Sequence, residues 1–315
     1  MRRGNQTAVT EFILLGFSSQ PRMQAMLLVG FLTSYLVTLA GNMVIIGLIR
    51  LDSCLHTPMY FFLSSLSFLD ICYASSIVPH MLFSLASGHR TISYAGCKAQ
   101  MFVALTCGIT ECMMLALMAY DRYVAVCLPL RYMTIMNHTA CQVLVAFAWL
   151  VSLVLSVVPV FGLPMPFCGP NEVDHFFCEV PAVMQLACAN MSFSETVMFG
   201  GDIFTLLIPF SFILATYGRI AITILRIRSN QGRRKAFSTC TSHLTAVTLF
   251  YGTAIFMYMR PRASRSPAQN KMAAVFYTVV TPMMNPLIYS LRNKEVKGAM
   301  SKVINLGRNM FSRMA

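Results

Sequence analysis

The chain has 315 residues, of which 57% are hydrophobic and only 11% are charged. A soluble domain carries roughly 25% charged residues, so this composition excludes a water-soluble protein and indicates one that lies in a membrane. The net charge of +13 does not indicate nucleic-acid binding, because no basic stretch is interleaved with aromatic residues in a soluble domain. We attribute it to attraction toward lipid and partners on the inner face of the membrane.

The predicted elements are seven apolar stretches, each long enough to span a bilayer, which takes about 20 apolar residues. In chain order they are Met23–Ile49, Pro58–Ala86, Met101–Val126, Cys141–Leu163, Val197–Leu225, Ser238–Met259 and Met272–Leu291. The residues before the first span lack an apolar core followed by a small-residue cleavage site, so we predict no removable signal peptide.

The distribution of basic residues predicts the orientation, because connections on the inner side carry the excess of Lys and Arg. The larger share of the 24 basic residues falls on one side when the N-terminus is placed outside. We therefore predict an extracellular tail over residues 1–22, a membrane domain over 23–291 and a cytoplasmic tail over 292–315. The longest connection, residues 164–195, would be the second extracellular loop.

Four cysteines fall on the predicted outer side. Cys97 precedes the third span, and Cys178 lies in the long loop with Cys168 and Cys188. The oxidising outer side permits disulfides, and four cysteines allow three pairings. A zinc site that includes His175 is the alternative, but the spacing matches no two-plus-two ligand pattern.

Three sequences match the acceptor pattern for N-glycosylation, at Asn5, Asn137 and Asn190. The predicted topology places Asn137 on an inner loop and Asn190 close to the fifth span. Asn5 is therefore the predicted glycosylation site.

Ionisable residues inside the spans are costly and indicate function. Asp70 and Glu111 lie in mid-span, which suggests a shared proton or a bound cation. A protonated pair that hydrogen-bonds to neighbouring helices explains them equally well. Asp202, in the outer part of the fifth span, would anchor a polar ligand group or lie solvated near the surface.

The sixth span carries one helical stripe at steps of three and four residues. Its members are His243, Val247, Phe250 or Tyr251, Ala254 and Tyr258. Gly252 beside this stripe has two explanations, a hinge or close packing against another helix.

The sequence lacks the motifs of other membrane proteins and of enzymes. It has no phosphate-binding loop, no His-Glu-x-x-His and no Gly-x-Ser-x-Gly. It also shows no internal repeat of interrupted helices, as in transporters, and no filter-like loop, as in channels. A seven-span receptor remains.

Six blocks resemble the rhodopsin-like G-protein-coupled receptors and, within them, the tetrapod-type (class II) olfactory receptors. They are "GN" (Gly41, Asn42), "LHTPMYFFLSSLSFLD" (Leu55–Asp70), "MAYDRYVAVC" (Met118–Cys127), "KAFSTCTSHL" (Lys235–Leu244), "FYGT" (Phe250–Thr253) and "PMMNPLIYSLRNKEVK" (Pro282–Lys297). The resemblance covers nearly the whole chain.

The resemblance implies an all-α bundle of seven transmembrane helices, followed by a short amphipathic eighth helix. It implies an odorant receptor, not an enzyme, that binds a small volatile ligand inside the bundle. The receptor would activate the stimulatory olfactory G protein and raise cyclic AMP, from the plasma membrane of olfactory neurons and their cilia. The alternatives are the same receptor acting outside the nose as a metabolite sensor and, remotely, a transporter.

The resemblance also implies an activation switch near the cytoplasmic side. Asp121 would restrain Arg122 in the inactive state, and the sixth helix would swing outward on activation to expose Arg122 to the G protein. Tyr251 and Gly252 would take the pivot role of the tryptophan motif found in most of the superfamily. The implied switch residues are Asp121, Arg122, Tyr123, Tyr217, His243, Asn285, Pro286 and Tyr289.

The resemblance also implies a cation site and two disulfides. Asp70 and Glu111, near Asn42 and Asn285, would form an inner cation site that takes sodium. Cys97 would pair with Cys178 and Cys168 with Cys188, with Cys97–Cys188 as the alternative.

The implied ligand pocket is lined mostly by small and apolar residues. Its predicted members are Ala104, Leu105, Gly108, Ile109, Cys112, Asp202, Thr205, Tyr251, Ala254, Tyr258, Val275 and Thr278. Burial of apolar surface contributes about 25 cal/mol per Å², which leaves only a few kcal/mol for a small ligand after the costs of binding. We therefore expect affinities that are micromolar or weaker.

Overall fold

The computed structural model describes residues 9–17, 20–163, 165–167, 169–188, 191–259, 266–292 and 295–302. Seven long helices dominate these residues: α1 (Pro21–Leu51), α2 (Pro58–Ser87), α3 (Tyr94–Cys127), α4 (His138–Gly162), α5 (Ser192–Arg226), α6 (Asn230–Tyr258) and α7 (Pro267–Ser290). Each predicted span coincides with one of them.

Six of these helices, α1 to α5 and α7, are long and apolar enough to cross a membrane. The sixth, α6, is equally long but contains Thr241, His243 and Thr245, whose polar side chains lower its mean hydropathy. The prediction of seven spanning helices is confirmed by the seven-helix bundle, although hydropathy alone marks six.

Local signals in the sequence set where the helices begin and end. Pro21 and Pro58 occupy the first turns of α1 and α2, where the missing backbone N–H costs nothing. Gly88 ends α2 at φ 73°, a left-handed conformation that glycine adopts without strain. Ser93 caps α3 by accepting a hydrogen bond from the Gly96 N–H. The cap lies outside the apolar stretch, which is why α3 starts seven residues before its predicted Met101.

Two helices approach closely at a predicted block. A Cβ added to Gly41 of α1 would lie 3.0 Å from Cγ of Pro286 on α7, so a larger residue would require the proline ring to shift by a few tenths of an ångström. The neighbouring Asn42 donates from Nδ2 to the carbonyl oxygen of Pro282 at 3.1 Å. The two residues fix α1 against α7.

A small sheet covers the extracellular end, which the sequence analysis did not predict. Strand β1 (Glu11–Leu14) lies between β2 (Thr91–Ser93), to which it is antiparallel, and β3 (Glu172–Val173), to which it is parallel. Phe12 and Leu14 are buried on its inner side, together with the side chains of Val173 and Cys178. Part of the predicted extracellular tail, residues 1–22, is therefore a folded part of the structure.

Three helices contain one π-helical turn each. The turns are Val158–Gly162 in α4, Ile203–Leu207 in α5 and Phe276–Val280 in α7. Such turns change the direction in which side chains point and occur often at functional sites. The turns in α5 and α7 both contribute residues to the cavity described below.

After the last span, residues 295–302 are helical. Val296 and Ala299 are buried while Glu295 and Lys297 are exposed, so this segment has the amphipathic character predicted for an eighth helix. It is attached at both ends, because Glu295 accepts from the Tyr60 hydroxyl at 2.6 Å and Lys302 pairs with Asp52 at 3.0 Å. This pairing lowers the pKa of Asp52 and raises that of Lys302.

Candidate functional site

A cavity lies in the extracellular half of the bundle. Helices α2, α3, α5, α6 and α7 form its walls, and the second extracellular loop covers it. The described lining residues are Tyr73, Met101, Ala104, Leu105, Gly108, Ile109, Cys112, Phe177, Cys178, Glu179, Val180, Pro181, Met198, Asp202, Thr205, Leu206, Phe250, Ala254, Tyr258 and Tyr277. Most lining residues are apolar and a few are polar, which is typical of sites that bind small organic ligands.

Nine of the twelve predicted pocket residues line this cavity. The other three, Tyr251, Val275 and Thr278, do not. The Tyr251 hydroxyl donates to the Cys112 carbonyl oxygen at 3.1 Å, so this residue joins α6 to α3. Thr278 donates to the Ala274 carbonyl oxygen of its own helix. The π-helical turn of α7 brings Tyr277 to the cavity, an irregularity that a regular helical pattern does not reveal.

The main lining residue that the sequence analysis missed is Glu179 of the second extracellular loop. Its side chain is buried, with 7% of the residue exposed. Its Oε1 accepts two hydrogen bonds of 2.6 Å, one from the Tyr258 hydroxyl and one from the Tyr277 hydroxyl. Glu179 thus connects the loop to both α6 and α7.

The position of Glu179 is fixed by its neighbour Cys178. Cys178 forms a disulfide with Cys97 of α3, with the two Cα atoms 5.4 Å apart. Its N–H donates to Oε1 of Gln100 at 2.8 Å, and Gln100 donates in turn to the Ser76 carbonyl oxygen on α2. These covalent and polar links hold the loop over the mouth of the bundle and point Glu179 into the cavity.

A second, more polar cavity lies on the extracellular side of Glu179. Asp174, His175, Gln185 and Asn270 are among its lining residues, and Glu179 and Pro181 line both cavities. His175 is buried, and burial lowers its pKa against the opposing effect of nearby Glu179. Its Nε2 lies 3.7 Å from Oε2 of Glu179, too far for a hydrogen bond.

The cytoplasmic half of the bundle contains a second polar cluster, centred on His243 of α6. Nε2 of His243 lies 3.0 Å from the Leu115 carbonyl oxygen on α3, and Nδ1 lies 2.8 Å from the Tyr217 hydroxyl on α5. A carbonyl oxygen only accepts, so Nε2 carries the hydrogen and Tyr217 donates to Nδ1. His243 therefore ties three helices together.

The expected restraint of Arg122 by Asp121 is not present in this conformation. Both side chains are buried, but no ion pair within 4.0 Å joins them in the described part of the chain. Asp121 instead accepts from the Tyr132 hydroxyl at 2.8 Å, and Nε of Arg122 has no hydrogen-bond partner. Adjacent residues on a helix point in different directions, and Tyr132 in the following loop offers Asp121 a closer partner.

Three further predicted switch residues have different surroundings. The half-buried ring of Tyr123 stacks on Tyr120 with centroids 6.4 Å apart. Tyr289 of α7 is buried, and its hydroxyl has no hydrogen-bond partner among the described residues. Pro286, one turn earlier, packs against Gly41 as described for the fold.

Asp70, Glu111 and Asn285 lie together in the centre of the bundle. Nδ2 of Asn285 is 3.2 and 3.0 Å from the two carboxyl oxygens of Asp70. Glu111 is completely buried, and neither of its carboxyl oxygens has a hydrogen-bond partner among the described residues. The two carboxyl groups are close enough to interact electrostatically.

The remaining predictions have mixed outcomes. The Cys97–Cys178 disulfide makes the alternative Cys97–Cys188 pairing wrong. Cys188 is also disulfide-bonded, while its predicted partner Cys168 and the predicted glycosylation site Asn5 lie outside the described residues.

A Cβ added to Gly252 of α6 would meet no atom within 4 Å, so close helix packing does not explain this glycine.

Comparison with known proteins agrees with this architecture. A model of the olfactory receptor family matches residues 31–306. Squid rhodopsin superposes with a TM-score of 0.72 over 91% of this chain and 82% of its own, at 18% identity, which supports the seven-helix fold.

Similar sequences cover almost the full chain. Olfactory receptor 2C1 of Mus musculus is 52% identical over 94% of this chain and 96% of its own length. Olfactory receptor 2A12 of Homo sapiens is 50% identical over 97% and 99%. The chain therefore belongs to the olfactory receptor family of rhodopsin-like G-protein-coupled receptors, which are multi-pass membrane proteins and not enzymes.

Proposed function

We propose that this chain is an odorant receptor that binds small, mostly apolar molecules in the extracellular cavity and activates the stimulatory olfactory G protein. The resulting signal is a rise in cyclic AMP. The receptor acts in the plasma membrane, in the cilia of olfactory neurons, and its basic inner face contacts membrane lipid. Membership of the family supports a small-molecule ligand and a G-protein partner.

One observation carries the proposal: helix α6 takes part in both polar sites. At its outer end Ala254 and Tyr258 line the cavity. At its inner end His243 is bonded to α3 and α5. A ligand that repositions the outer end of α6 therefore strains the bonds of His243, and their loss would let the inner end swing outward.

Arg122 is the residue that this movement would expose to the G protein. It is buried in the closed bundle, and its Nε lacks a hydrogen-bond partner. A buried donor without a partner is costly, so an arrangement in which Nε of Arg122 finds an acceptor would remove this cost. Switches of this kind depend on two arrangements that differ by only a few kcal/mol.

The central cluster supports a sodium ion as a second ligand. The uncoordinated carboxyl group of Glu111, together with Asp70, provides the negative charge and the oxygen atoms that a hard cation prefers. Asp70 and Glu111 would hold the ion, and Asn285 would orient Asp70. The ion would neutralise two carboxyl groups that otherwise repel each other in the closed state.

The experiment is a cyclic-AMP reporter assay on cells that express the chain, with a panel of volatile compounds. A saturable response that disappears in Arg122→Ala, at equal surface expression, is the expected result. A response that persists in this variant would contradict G-protein coupling through Arg122. A flux of solute without any G-protein response would instead support a transporter.

A further inference from the structure

We propose that Glu179 is the anchor for a positively charged amine group, so that this receptor is selective for amine-bearing ligands. The inference rests on the proposed function and deepens it by naming the chemical class of the ligand. It is based on the burial, the hydrogen bonding and the surroundings of one carboxylate.

Within the described residues, only one of the two carboxyl oxygens of Glu179 is hydrogen-bonded. Its Oε1 accepts hydrogen bonds from the hydroxyls of Tyr258 and Tyr277. Its Oε2 is buried and has no hydrogen-bond partner among the described residues. The two tyrosines are donors, so they leave the carboxylate able to accept another hydrogen bond at Oε2. A buried acceptor without a partner is unfavourable, and a ligand that donates a hydrogen bond there removes this cost.

The surroundings supply no positive charge to neutralise Glu179. Among the described lining residues of the cavity there is no Lys, Arg or His, and Asp202 adds a second carboxyl group. Lys271, the described lysine on the neighbouring part of α7, is bound to Asp174 and to the Gly16 carbonyl oxygen. The cavity therefore favours a cation over a neutral molecule and disfavours a carboxylate.

The nearest basic group, His175, leaves this conclusion unchanged near neutral pH. Burial lowers its pKa below the usual value of 6.5, so the imidazole is mostly uncharged at pH 7. Around it lie Glu179, Asp174 and Lys271, and the last two are paired with each other. No nearby charge therefore competes with an ammonium group for Oε2.

The second, more polar cavity, here called the outer cavity to distinguish it from the inner cavity between the helices, provides a route for such a ligand. Glu179 separates it from the inner cavity, and Asp174 and Glu179 both line it. Carboxylates along the path raise the local concentration of cations. An amine would pass these groups, place its nitrogen at Oε2 of Glu179 and put its apolar part among the residues of α3 and α5.

The test uses three probes with the same carbon chain: hexylamine, 1-hexanol and hexanoic acid. Alkylamines resemble the Lys side chain, whose pKa is about 10.4, and are protonated at pH 7. We expect hexylamine to activate the receptor at a concentration about tenfold or more below that of hexanoic acid. Hexanol should fall between them.

The informative variant is Glu179→Gln, which keeps an oxygen acceptor for the tyrosines and removes the charge. We expect it to raise the half-maximal concentration of hexylamine about tenfold and to change that of hexanol by less than about threefold. Glu172→Gln is the matched control, because it makes the same change at an exposed residue of β3 that is not among the lining residues of either cavity. It should leave both values nearly unchanged.

Three results would overturn the inference. The first is equal loss of the hexylamine and hexanol responses in Glu179→Gln, which would show a purely structural role. The second is a wild-type receptor that responds to neutral compounds but not to amines, which leaves the proposed function intact. The third is purified receptor whose thermal stability hexylamine does not raise. By contrast, responses that survive Arg122→Ala would count against the proposed function and not against amine selectivity.

Discussion

The extracellular and cytoplasmic ends of the bundle differ in how their polar groups are bonded. At the extracellular end, a disulfide, a three-stranded sheet and the bonds of Gln100 and Glu179 join the loops to the helices. At the cytoplasmic end, one histidine joins three helices, and the Nε of Arg122 and the hydroxyl of Tyr289 have no hydrogen-bond partners within the described ranges. The extracellular end is thus held together by links between its loops and helices and leaves Oε2 of Glu179 for a ligand, whereas the unpaired groups of the cytoplasmic end can form new bonds when the helices move.

The largest effect should come from Arg122→Ala. We expect agonist-driven nucleotide exchange to fall to the background level, because no other buried arginine lies at the described cytoplasmic end of α3. The measurement is nucleotide exchange on a purified G protein. Arg131→Ala, which removes an exposed arginine of the next loop, is the control and should retain most of the activity.

Cys97→Ser should have the next largest effect by removing the disulfide to Cys178. Loss of a native disulfide costs about 2–5 kcal/mol of stability, and here it also releases Glu179 from its position. We expect a marked fall in surface expression and in the thermal stability of solubilised receptor. Cys54→Ser changes an exposed free cysteine and should behave like the wild type; equal effects of both variants would refute the importance of the extracellular link.

Tyr217→Phe removes the hydrogen bond of 2.8 Å to His243 without changing the ring. One such bond contributes about 1 kcal/mol, so the closed state should lose stability and the basal cyclic-AMP signal should rise about fivefold. Tyr35→Phe also removes a tyrosine–side-chain bond, to Ser75 at 3.0 Å, but at the outside of the bundle. A rise in both variants, or in neither, would show that the His243 cluster does not hold the closed state.

The smallest predicted effect concerns pH and the extracellular end. The pKa of buried His175 is lowered from its usual value of 6.5 in the folded protein, so the unfolded chain binds a proton more readily. The contribution of His175 to stability is therefore complete above about pH 6.5 and is lost as the pH falls toward the folded pKa. The melting temperature should decrease over this range, and His175→Gln should decrease less, whereas the control His89→Gln, at an exposed residue, should follow the wild type.

Local patterns in the sequence were enough to predict the helices. The apolar stretches placed all seven, and steps of three and four placed His243, Val247 and Ala254 on the buried side of α6. These properties depend on residues that are neighbours on one helix. The resemblance, and not a local pattern, placed Ala104 and Cys112 of the third span in the expected pocket, and both line the cavity.

The missed features depend on contacts between distant parts of the chain. Strand β1 forms only because β2 and β3 are brought beside it, and nothing in "EFIL" alone marks a strand of that kind. Glu179 looked like one of several acids in a long loop, although its position next to Cys178 was a usable signal once the disulfide was assumed. Tyr277 faces the cavity because of a π-helical turn that helical periodicity does not reveal.

The most direct test of the difference between the two ends is a full concentration–response curve for Glu179→Gln and Arg122→Ala, measured beside the wild type in the same cyclic-AMP assay with hexylamine. We predict that Glu179→Gln shifts the curve to higher concentration and reaches the same maximum. Arg122→Ala should abolish the maximum at every concentration. A lost maximum in Glu179→Gln, or a shifted curve with full maximum in Arg122→Ala, would contradict the assignment of ligand recognition to one end and signal transfer to the other.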